Sequence, residues 1–270
     1  MADNALEFQA ITADGNYVTA NAKENPDLYW ALKGGGPAAF AVILSTTYAT
    51  YTDLPSAGVI ININSTHTTD VNKFWTSVKT FHKYSNHFVE SGLYAYFQIA
   101  PMRLHSQPIL GINKTAAQLN ATVKPLFDEL DSLGLKYSTE VKEYKTFFDL
   151  YIDMFEDEGA GVTALTGGWA FAKDDVAKNN PAIVDAYKTT VDNGGIVVGH
   201  IWTQGKGATD SAVNPRFKNA SSKVIAALLV AANATLAEKA KAQDTLANVI
   251  DASLRKAGPN GCAYINEVSL

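Results

Sequence analysis

Two short segments, one near each end of the chain, carry the residues best suited to chemistry. The first is the run Gly34-Gly35-Gly36-Pro37, which lies between two apolar segments. Glycines have no Cβ, so a backbone rich in them can approach a flat or charged ligand closely, and the N–H groups of the loop can face that ligand. The run is consistent with a loop against a cofactor and also with a flexible connection between two elements.

The second segment is GCAYINEVSL, residues 261–270. On a strand, Tyr264 and Asn266 would point to one face and Glu267 to the other, because side chains alternate along a strand. A phenol and an amide on one face are suited to line a polar pocket. A tyrosine at such a position is equally suited to a core, and the pattern alone does not separate the two roles.

Other kinds of site find little support in the residues. The closest pair of the five histidines, His82 and His87, is five residues apart rather than the three or four that place two metal ligands on one helical face. The single cysteine, Cys262, excludes an intrachain disulfide and a Cys-rich metal site, and we expect it to be buried and unreactive. The nucleophile motif G-x-S-x-G is absent. We therefore predict no metal site and no serine hydrolase.

Composition narrows the class of protein. The chain has 270 residues, of which 47% are hydrophobic and 18% charged, as in a folded globular protein. Its net charge is −5 and its basic residues are scattered, which argues against binding to nucleic acid. No apolar run approaches the about 20 residues of a membrane span, and the N-terminus lacks the pattern of a signal peptide.

Sequons for N-glycosylation contrast with the lack of a signal-peptide pattern. They can be modified only in a chain that enters the secretory pathway, so they indicate a secreted parent protein. We expect all five to lie at the surface, the last least clearly because it lies in an apolar run. The acceptor residues are Asn64, Asn113, Asn120, Asn219 and Asn233.

Residues 1–55 are predicted to form a small β-rich unit. LEFQAITADG alternates apolar and polar residues, and its Asp-Gly pair is a hairpin signal before NYVTANA. NPDLYWALK has a proline in its first turn and ends at Gly34, which predicts a helix. The β-branched and aromatic run FAVILSTTYATY predicts a strand. We place a domain boundary at Pro55.

Residues 56–270 are predicted to alternate strands with longer helices. Apolar residues at helical spacing predict helices over 70–84 and 115–134, and another in PAIVDAYKTTVDNGG. An Ala- and Leu-rich region from about Ser221 to Lys256 predicts a long helical stretch, and CAYINEVSL predicts a final short strand. The other predicted strands are GVIINI, GLYAYFQIAP, SQPILGIN, KYSTEVKEY, TALTGGWAFA and GIVVGHIW.

These elements predict an α+β fold with a mostly antiparallel sheet covered by helices. A doubly wound parallel sheet is disfavoured because no G-x-G-x-x-G or P-loop follows a strand. The glycine run comes after a helix and before a strand. This is the reverse of the order in which Rossmann and P-loop proteins present a helix N-terminus to phosphate.

Three segments together resemble a known family. ITADGNYVTANAKENPDLYWALKGGGPAAFAVILSTTY is similar to the D-L-[FY]-W-A-L-[RK]-G-G-G region of FAD-linked oxidases of the berberine-bridge-enzyme-like group. DSAVNPRFKNA resembles the N-P-x-[WF]-[RK] segment of that family, and AYINE resembles its Y-x-N-[EY] strand beside the flavin. The three occur in family order. Ala39 and Ala41 depart from the pattern, because the family commonly has Asn or Thr and Gly there.

The resemblance implies the rear part of a PCMH-type FAD-binding domain at residues 1–55 and an antiparallel-sheet substrate domain at 56–270. It implies that FAD takes a hydride from an alcohol or amine carbon of a small molecule or sugar, with O₂ as acceptor, in secondary metabolism. By the same resemblance Tyr264 and Asn266 line the substrate site. The residues implied to contact FAD are Gly34, Gly35, Gly36, Phe40 and Val42.

Family members are longer than this chain, which resembles a relative truncated at both ends. Because a flavin pyrophosphate needs several N–H groups or a helix N-terminus, we expect the chain alone to have no tight FAD site and no oxidase turnover. Two alternatives stay open: an inactive remnant, and a module that binds small molecules or carbohydrates without flavin. A sugar-stacking face in that module would use Tyr94, Tyr96, Phe97 and Trp169. The sequence does not give the oligomeric state.

Overall fold

The computed structural model describes residues 2–155, 164–203 and 210–267. These residues form two compact units. The small unit consists of residues 2–52 and 210–218, and the large unit of residues 53–203 and 219–267. The sequence-based division placed residues 210–218 in the second domain, whereas in the structure this segment packs within the small unit.

The small unit is a three-stranded antiparallel sheet with one helix. Its strands pair in the order β2-β1-β3. A small core of Ala5, Phe8, Ala20 and Leu32 lies between sheet and helix, and the Tyr29 hydroxyl donates to the carbonyl of Ala5 at 2.7 Å. The elements are β1 (Ala5–Ile11), β2 (Tyr17–Asn21), α1 (Pro26–Leu32) and β3 (Val42–Tyr48), with 3₁₀ turns at Ala2–Asn4 and Pro37–Ala39.

The large unit is a seven-stranded sheet in which every pair of neighbouring strands is antiparallel, in the order β7-β4-β6-β5-β9-β10-β8. This confirms the predicted α+β class with an antiparallel sheet. The strands are β4 (Ser56–Asn64), β5 (Tyr94–Ala100), β6 (Arg103–Ile112), β7 (Ser138–Tyr144), β8 (Ala164–Ala172), β9 (Gly195–Ile201) and β10 (Ala220–Leu229).

Several of the helices begin where the sequence offers a side-chain cap. The Asp70 side chain accepts from the first turn of α2, and Thr115 and Thr235 form capping boxes at α4 and α7. A 3₁₀ turn at Pro215–Asn219 precedes β10, and a π-helical turn at Thr245–Ile250 joins the last two helices. The helices are α2 (Val71–Lys83), α3 (Ser85–Glu90), α4 (Ala116–Ser132), α5 (Phe147–Met154), α6 (Lys173–Asp192), α7 (Leu236–Asp244) and α8 (Asp251–Ala257).

One face of the large sheet, the helix face, carries the main core. Alternate residues of the strands, such as Ile61, Phe97 and Val224, are completely buried there against side chains of α2, α4 and α6. Burial of apolar area on this scale is the main source of stability of the unit. The opposite face, the polar face, packs against α5 through Leu150 and Met154.

Two predicted elements were wrong. The run from Ser221 does not begin a helix but forms β10, which lies between β9 and β8, and helix starts only at Leu236. Neighbours on both sides supply hydrogen bonds and apolar cover, so the tertiary setting overrides the helix propensity of Ala and Leu. The segment CAYINEVSL, described to residue 267, makes one bridge from Cys262 to Ala170 and then a 3₁₀ turn at Ile265–Glu267.

Candidate active site on the polar face of the large sheet

The polar face is set up by alternation along the strands. In β5, Tyr94, Tyr96 and Gln98 are half-buried on this face, while the residues between them are buried on the helix face. Phe97 therefore belongs to the core, and Trp169 packs on the helix side with its indole N–H donated to the carbonyl of Gly258. The four aromatic residues considered as a sugar-stacking face do not share one face, because only Tyr94 and Tyr96 lie on it.

Polar side chains on this face line up across neighbouring strands. Asn62, His105 and Gln98 are direct cross-strand partners in β4, β6 and β5. His105 Nδ1 is hydrogen-bonded to the Asn62 side chain, and Gln98 Nε2 donates to the Tyr96 hydroxyl at 3.0 Å. Strand pairing and these two hydrogen bonds bring the side chains of Asn62, His105, Gln98 and Tyr96 together as one half of a continuous stripe.

The other half of the stripe continues from Tyr96 through β9 to β10. Tyr96 pairs with His200, and His200 pairs with Lys223. The His200 ring meets Tyr96 edge-on at 5.3 Å, and its Nδ1 is 2.8 Å from the Tyr94 hydroxyl. We call Asn62, His105, Gln98, Tyr96, His200 and Lys223 the polar stripe.

The C-terminal segment contributes Tyr264 and Asn266 at the Lys223 end of the stripe. Lys223 Nζ is 4.7 Å from the centroid of the Tyr264 ring and is ion-paired with Glu267. Asn266 Nδ2 donates to the Tyr264 hydroxyl oxygen at 2.7 Å. The structure thus places Tyr264 and Asn266 together, and it also places Glu267 beside them, because the segment forms a 3₁₀ turn there rather than the strand that the sequence suggested.

The geometry of this cluster is suited to proton transfer. Because Asn266 already donates to the phenol oxygen, the O–H of Tyr264 points to another partner. The Tyr264 side chain is exposed, so a ligand can reach it. The Lys223 ammonium lies next to the ring and provides a positive charge. The Glu267 carboxylate neutralises that charge.

A buried polar network lies on the helix face behind the stripe. His82 Nδ1 is 2.6 Å from Oδ1 of the Asn180 side-chain amide, which can only accept, so that nitrogen carries the proton. Nε2 then accepts from Tyr187 and Ser222, each at 3.0 Å. Burial lowers the pKa of His82 to about 4 and raises the pKa of Tyr187. Both groups are therefore neutral near pH 7, and the network joins α2, α6 and β10.

The sequence drew attention to Tyr264 and Asn266 but missed the rest of the site. His105 and His200 were weighed only as metal ligands, and Gln98 and Asn62 carried no motif. The signal that could have found them is alternation: in each of β4, β5, β6 and β9 the polar residue of the stripe lies between two buried residues of the strand. Within the described residues, no three His, Cys, Asp or Glu side chains are grouped to hold a metal ion. Among the same residues no helix is long and apolar enough to cross a membrane.

The glycine run lies in the small unit, where the chain itself uses two of the three glycines. A Cβ on Gly34 would lie 2.3 Å from the Val213 side chain, and one on Gly35 would lie 2.5 Å from the Ala31 carbonyl. Their N–H groups donate to the carbonyls of Leu32 and Ala31. These N–H groups therefore do not face a phosphate, and the two glycines are explained by packing against α1 and residues 212–213.

The other residues implied to contact FAD fit a ligand better. Gly36 has a φ of +83° and no atom within 4 Å of the position that a Cβ would take. Phe40 is 45% exposed and Val42 65% exposed. Gly36, Phe40 and Val42 thus offer accessible surface for a flavin, whereas Gly34 and Gly35 shape the loop.

The five sequons differ in exposure. Asn113, Asn120, Asn219 and Asn233 are exposed, and Asn233 lies in the turn after β10 rather than inside a helix. Asn64 is half-buried, and its side-chain oxygen accepts from the backbone and hydroxyl of Thr66.

Comparisons with known proteins agree with the sequence resemblance. No protein-family model matches the chain. It is 26% identical to the FAD-linked oxidoreductase patO of Aspergillus clavatus over 271 residues, which cover 98% of this chain and 47% of that protein. It is 34% identical to the FAD-linked oxidoreductase ZEB1 of Gibberella zeae over 149 residues, which cover 55% of this chain and 26% of that protein. The chain spans about half the length of the first relative and less of the second.

Solved structures share the fold. The VAO-type flavoprotein MtVAO615 from Myceliophthora thermophila C1 superposes with a TM-score of 0.91 at 22% identity, over 99% of this chain and 50% of that protein. BBE-like 1 from Physcomitrella patens gives 0.74 at 16% identity, over 99% and 58%. A carbohydrate oxidase from Microdochium nivale gives 0.70 at 17% identity, over 98% and 57%. The resemblance is thereby confirmed: the relatives are FAD-linked oxidoreductases, whose cofactor is FAD, and the fold is that of VAO-type and berberine-bridge-enzyme-like flavoproteins.

Proposed function

We propose that the chain is part of an FAD-dependent oxidoreductase that oxidises an alcohol carbon of a small hydroxylated molecule, with O₂ as acceptor. The observation that carries the proposal is the Tyr264–Asn266–Lys223 cluster at the end of the polar stripe. It supplies a phenol, an amide and a positive charge on a fold shared with flavoprotein oxidases.

The substrate would lie along the polar stripe. Neighbouring strands are about 4.8 Å apart, so the stripe from β4 to β10 is roughly 19 Å long. Its side chains are amides, imidazoles and a phenol that can form hydrogen bonds, together with Lys223, whose charge Glu267 balances. Such a surface favours a neutral ligand with several hydroxyl groups over an anion, and the fold likeness to a carbohydrate oxidase supports a sugar as the first class to test.

We assign the proton transfer to Tyr264. The phenol oxygen exchanges a proton with the substrate hydroxyl while the hydrogen-bonded Asn266 amide keeps that oxygen in place. Bound FAD would accept the hydride from the carbon being oxidised. Gly36, Phe40 and Val42 are the residues of this chain that would hold the flavin.

The proposal is tested with the purified chain, with FAD added. We expect weak flavin binding, because Gly34 and Gly35 use their N–H groups internally, and therefore FAD is titrated and followed through its absorbance bands near ~370 and ~450 nm. Peroxide formation is then measured on a panel of sugars and simple alcohols, and sugar binding is measured by calorimetry.

The decisive variant is Tyr264→Phe, measured in the complete oxidoreductase of which the chain is proposed to be part, for which we expect kcat/KM to fall about 10²–10⁴-fold. Tyr84→Phe is the matched control, since that tyrosine bonds to Glu129 on the helix side of the sheet. A chain that binds neither FAD nor any hydroxylated ligand would reject the proposal, whereas missing peroxide alone would agree with the expectation that the isolated chain has no turnover. Sugar binding without any flavin binding would instead support the binding-module alternative.

We also propose that the parent protein enters the secretory pathway. Four of the five sequons are exposed, as a glycan requires, and this is the observation that supports the proposal. After expression in a secretory eukaryotic host, we expect Asn113, Asn120, Asn219 and Asn233 to carry glycans and Asn64 to be modified least. Mass spectrometry before and after enzymatic deglycosylation checks this, and an unmodified secreted chain would contradict it.

A further inference from the structure

We propose that Asp175 is a positioning residue for Tyr264, acting through the segment of residues 258–264. The inference rests on the proposed role of Tyr264. This segment starts on the helix face, passes the edge strand β8 and ends on the polar face. Its course is fixed at three points, and one of them is a buried carboxylate.

The first contact is between Asp175 and Asn260. Asp175 lies in the first turn of α6 and is 1% exposed. Its two carboxylate oxygens accept from the Asn260 backbone N–H at 3.1 Å and from the Asn260 side-chain amide at 2.8 Å. A buried carboxylate held by two donors is a strong anchor, because hydrogen bonds to charged groups exceed neutral ones in strength.

The second contact holds the beginning of the same turn. Trp169 Nε1 donates to the Gly258 carbonyl at 2.7 Å. The turn lies so close to β8 that two positions exclude a side chain: a Cβ on Gly258 would be 2.4 Å from Phe171, and a Cβ on Gly261 would be 2.2 Å from Trp169 Nε1. The glycines let the backbone lie against the strand, and the indole fixes it there.

The third contact takes the segment to the polar face. Cys262 and Ala170 exchange two backbone hydrogen bonds, of 2.7 and 3.1 Å, so the segment adds one bridge to the edge of β8. Ala170 is the direct cross-strand partner of Lys223. The bridge therefore places Cys262 next to the strand position of Lys223. Two residues later, the Tyr264 ring lies beside the Lys223 ammonium.

Together these contacts link a carboxylate on the helix face to a phenol on the polar face. Asp175 touches none of the polar-stripe residues described above. Its effect on Tyr264 passes through Asn260 and the Cys262 bridge. Loss of the carboxylate should release residues 260–264 and separate the Tyr264 ring from Lys223 while the sheet stays folded.

The test compares Asp175→Ala and Asp175→Asn with Asp174→Ala. Asp174 is the matched control because it lies in the same helical turn and pairs only with Lys178 at the surface. The readout is the NMR signal of the Lys223 side-chain methylene next to its ammonium in protein labelled with ¹³C-lysine. The Tyr264 ring current shifts that signal upfield. Lys33, whose ammonium is 4.8 Å from the Tyr29 ring in the small unit, is the internal reference.

In Asp175→Ala we expect the Lys223 signal to move to the position of a solvated lysine while the Lys33 signal keeps its position. Amide exchange at Asn260 and Cys262 should speed up about tenfold or more. Asp175→Asn, which keeps one acceptor oxygen, should show a smaller change, and Asp174→Ala none. If Asp175→Ala does not fold, Asn260→Ala replaces it, because it removes the side-chain donor and leaves the buried carboxylate in place.

An unchanged Lys223 signal and unchanged exchange in both Asp175→Ala and Asn260→Ala would overturn the inference. The readout needs neither flavin nor substrate, so its result is independent of the proposed oxidase activity. If the Lys223 signal shifts as expected but Tyr264→Phe keeps full turnover, the positioning is correct and the role assigned to Tyr264 is wrong.

Discussion

The two faces of the large sheet have opposite compositions although they are built from the same strands. In β5, Ala95, Phe97 and Ile99 are completely buried on the helix face, while Tyr94 and Tyr96 are half-buried on the polar face. The helix face is continuous with the main core and carries an enclosed polar network at His82. The comparison separates residues that stabilise the protein from residues that are available for a ligand.

The largest expected effect is on the helix face. Phe97→Ala removes a ring that packs edge-on against Phe81 at 5.4 Å, and we expect a loss of about 3–5 kcal/mol of unfolding free energy. The neighbouring variant Tyr96→Phe, on the polar face, should cost about 1 kcal/mol or less, because it removes one partly exposed hydrogen bond. Urea denaturation measures both. If both variants lost the same unfolding free energy, the helix face would not contribute more to stability than the polar face.

A second effect of similar size should depend on pH. The pKa of His82 is lowered from 6.5 to about 4 by burial, so between these values the unfolded chain binds the proton and the folded chain does not. Stability is therefore complete above about pH 6.5 and is lost as the pH falls toward 4, by about 3 kcal/mol for this group. Denaturation curves from pH 7 to pH 4 measure the loss, and His82→Gln should flatten it.

Surface carboxylates such as Glu129 should affect stability at a lower pH than His82 does. Hydrogen bonding from Lys83 lowers the pKa of Glu129, so its contribution is present above the usual carboxyl range and is lost only below pH 4.5. A loss of stability that begins only below that value in the wild-type chain would point to surface carboxylates and contradict the role of His82.

The smallest expected effect on stability is at the polar face. Lys223→Met removes one partner of a largely buried ion pair and leaves the Glu267 carboxylate without it, which should cost about 1–3 kcal/mol. Lys188→Met breaks an exposed pair with Asp192 on α6 and is a control that should cost about 1 kcal/mol or less. Only the Lys223 variant should weaken binding of a hydroxylated ligand in calorimetry. A large loss of stability in Lys223→Met would mean that the Tyr264 cluster is a structural element.

Much of the fold could be predicted because local patterns and tertiary packing agree. The hairpin at Asp14-Gly15, the helix that begins at Pro26 and the amphipathic helix after Asp70 are all present. The prediction failed at β10. There Lys223, Ile225 and Ala227 alternate with buried residues, but Ala and Leu are so frequent that a helical pattern fits the same letters. The short helices α3 and α5 have too few turns to show a clear period.

The candidate site could be predicted only in part, for a geometric reason. Tyr264 and Asn266 were singled out because they lie in one segment and match a family pattern. His105, Gln98 and His200 come from three strands that are distant in sequence, and only strand pairing places them in one stripe. The role of Gly34 and Gly35 was also hidden, because the residues that fill the space beside them are Ala212 and Val213, far away in the chain.

The sequence by itself determined the class of this protein: an α+β chain related to FAD-linked oxidoreductases, with a glycine run after α1 and a Tyr-x-Asn segment near its end. These features are local, and short-range sterics and hydrogen bonding specify them. Tertiary structure alone decided the register that aligns the polar stripe, the pairing that made β10 a strand and the path of residues 258–264 around β8. Those outcomes depend on contacts between segments that are tens of residues apart. The free energies of these contacts cannot be read from a local sequence pattern.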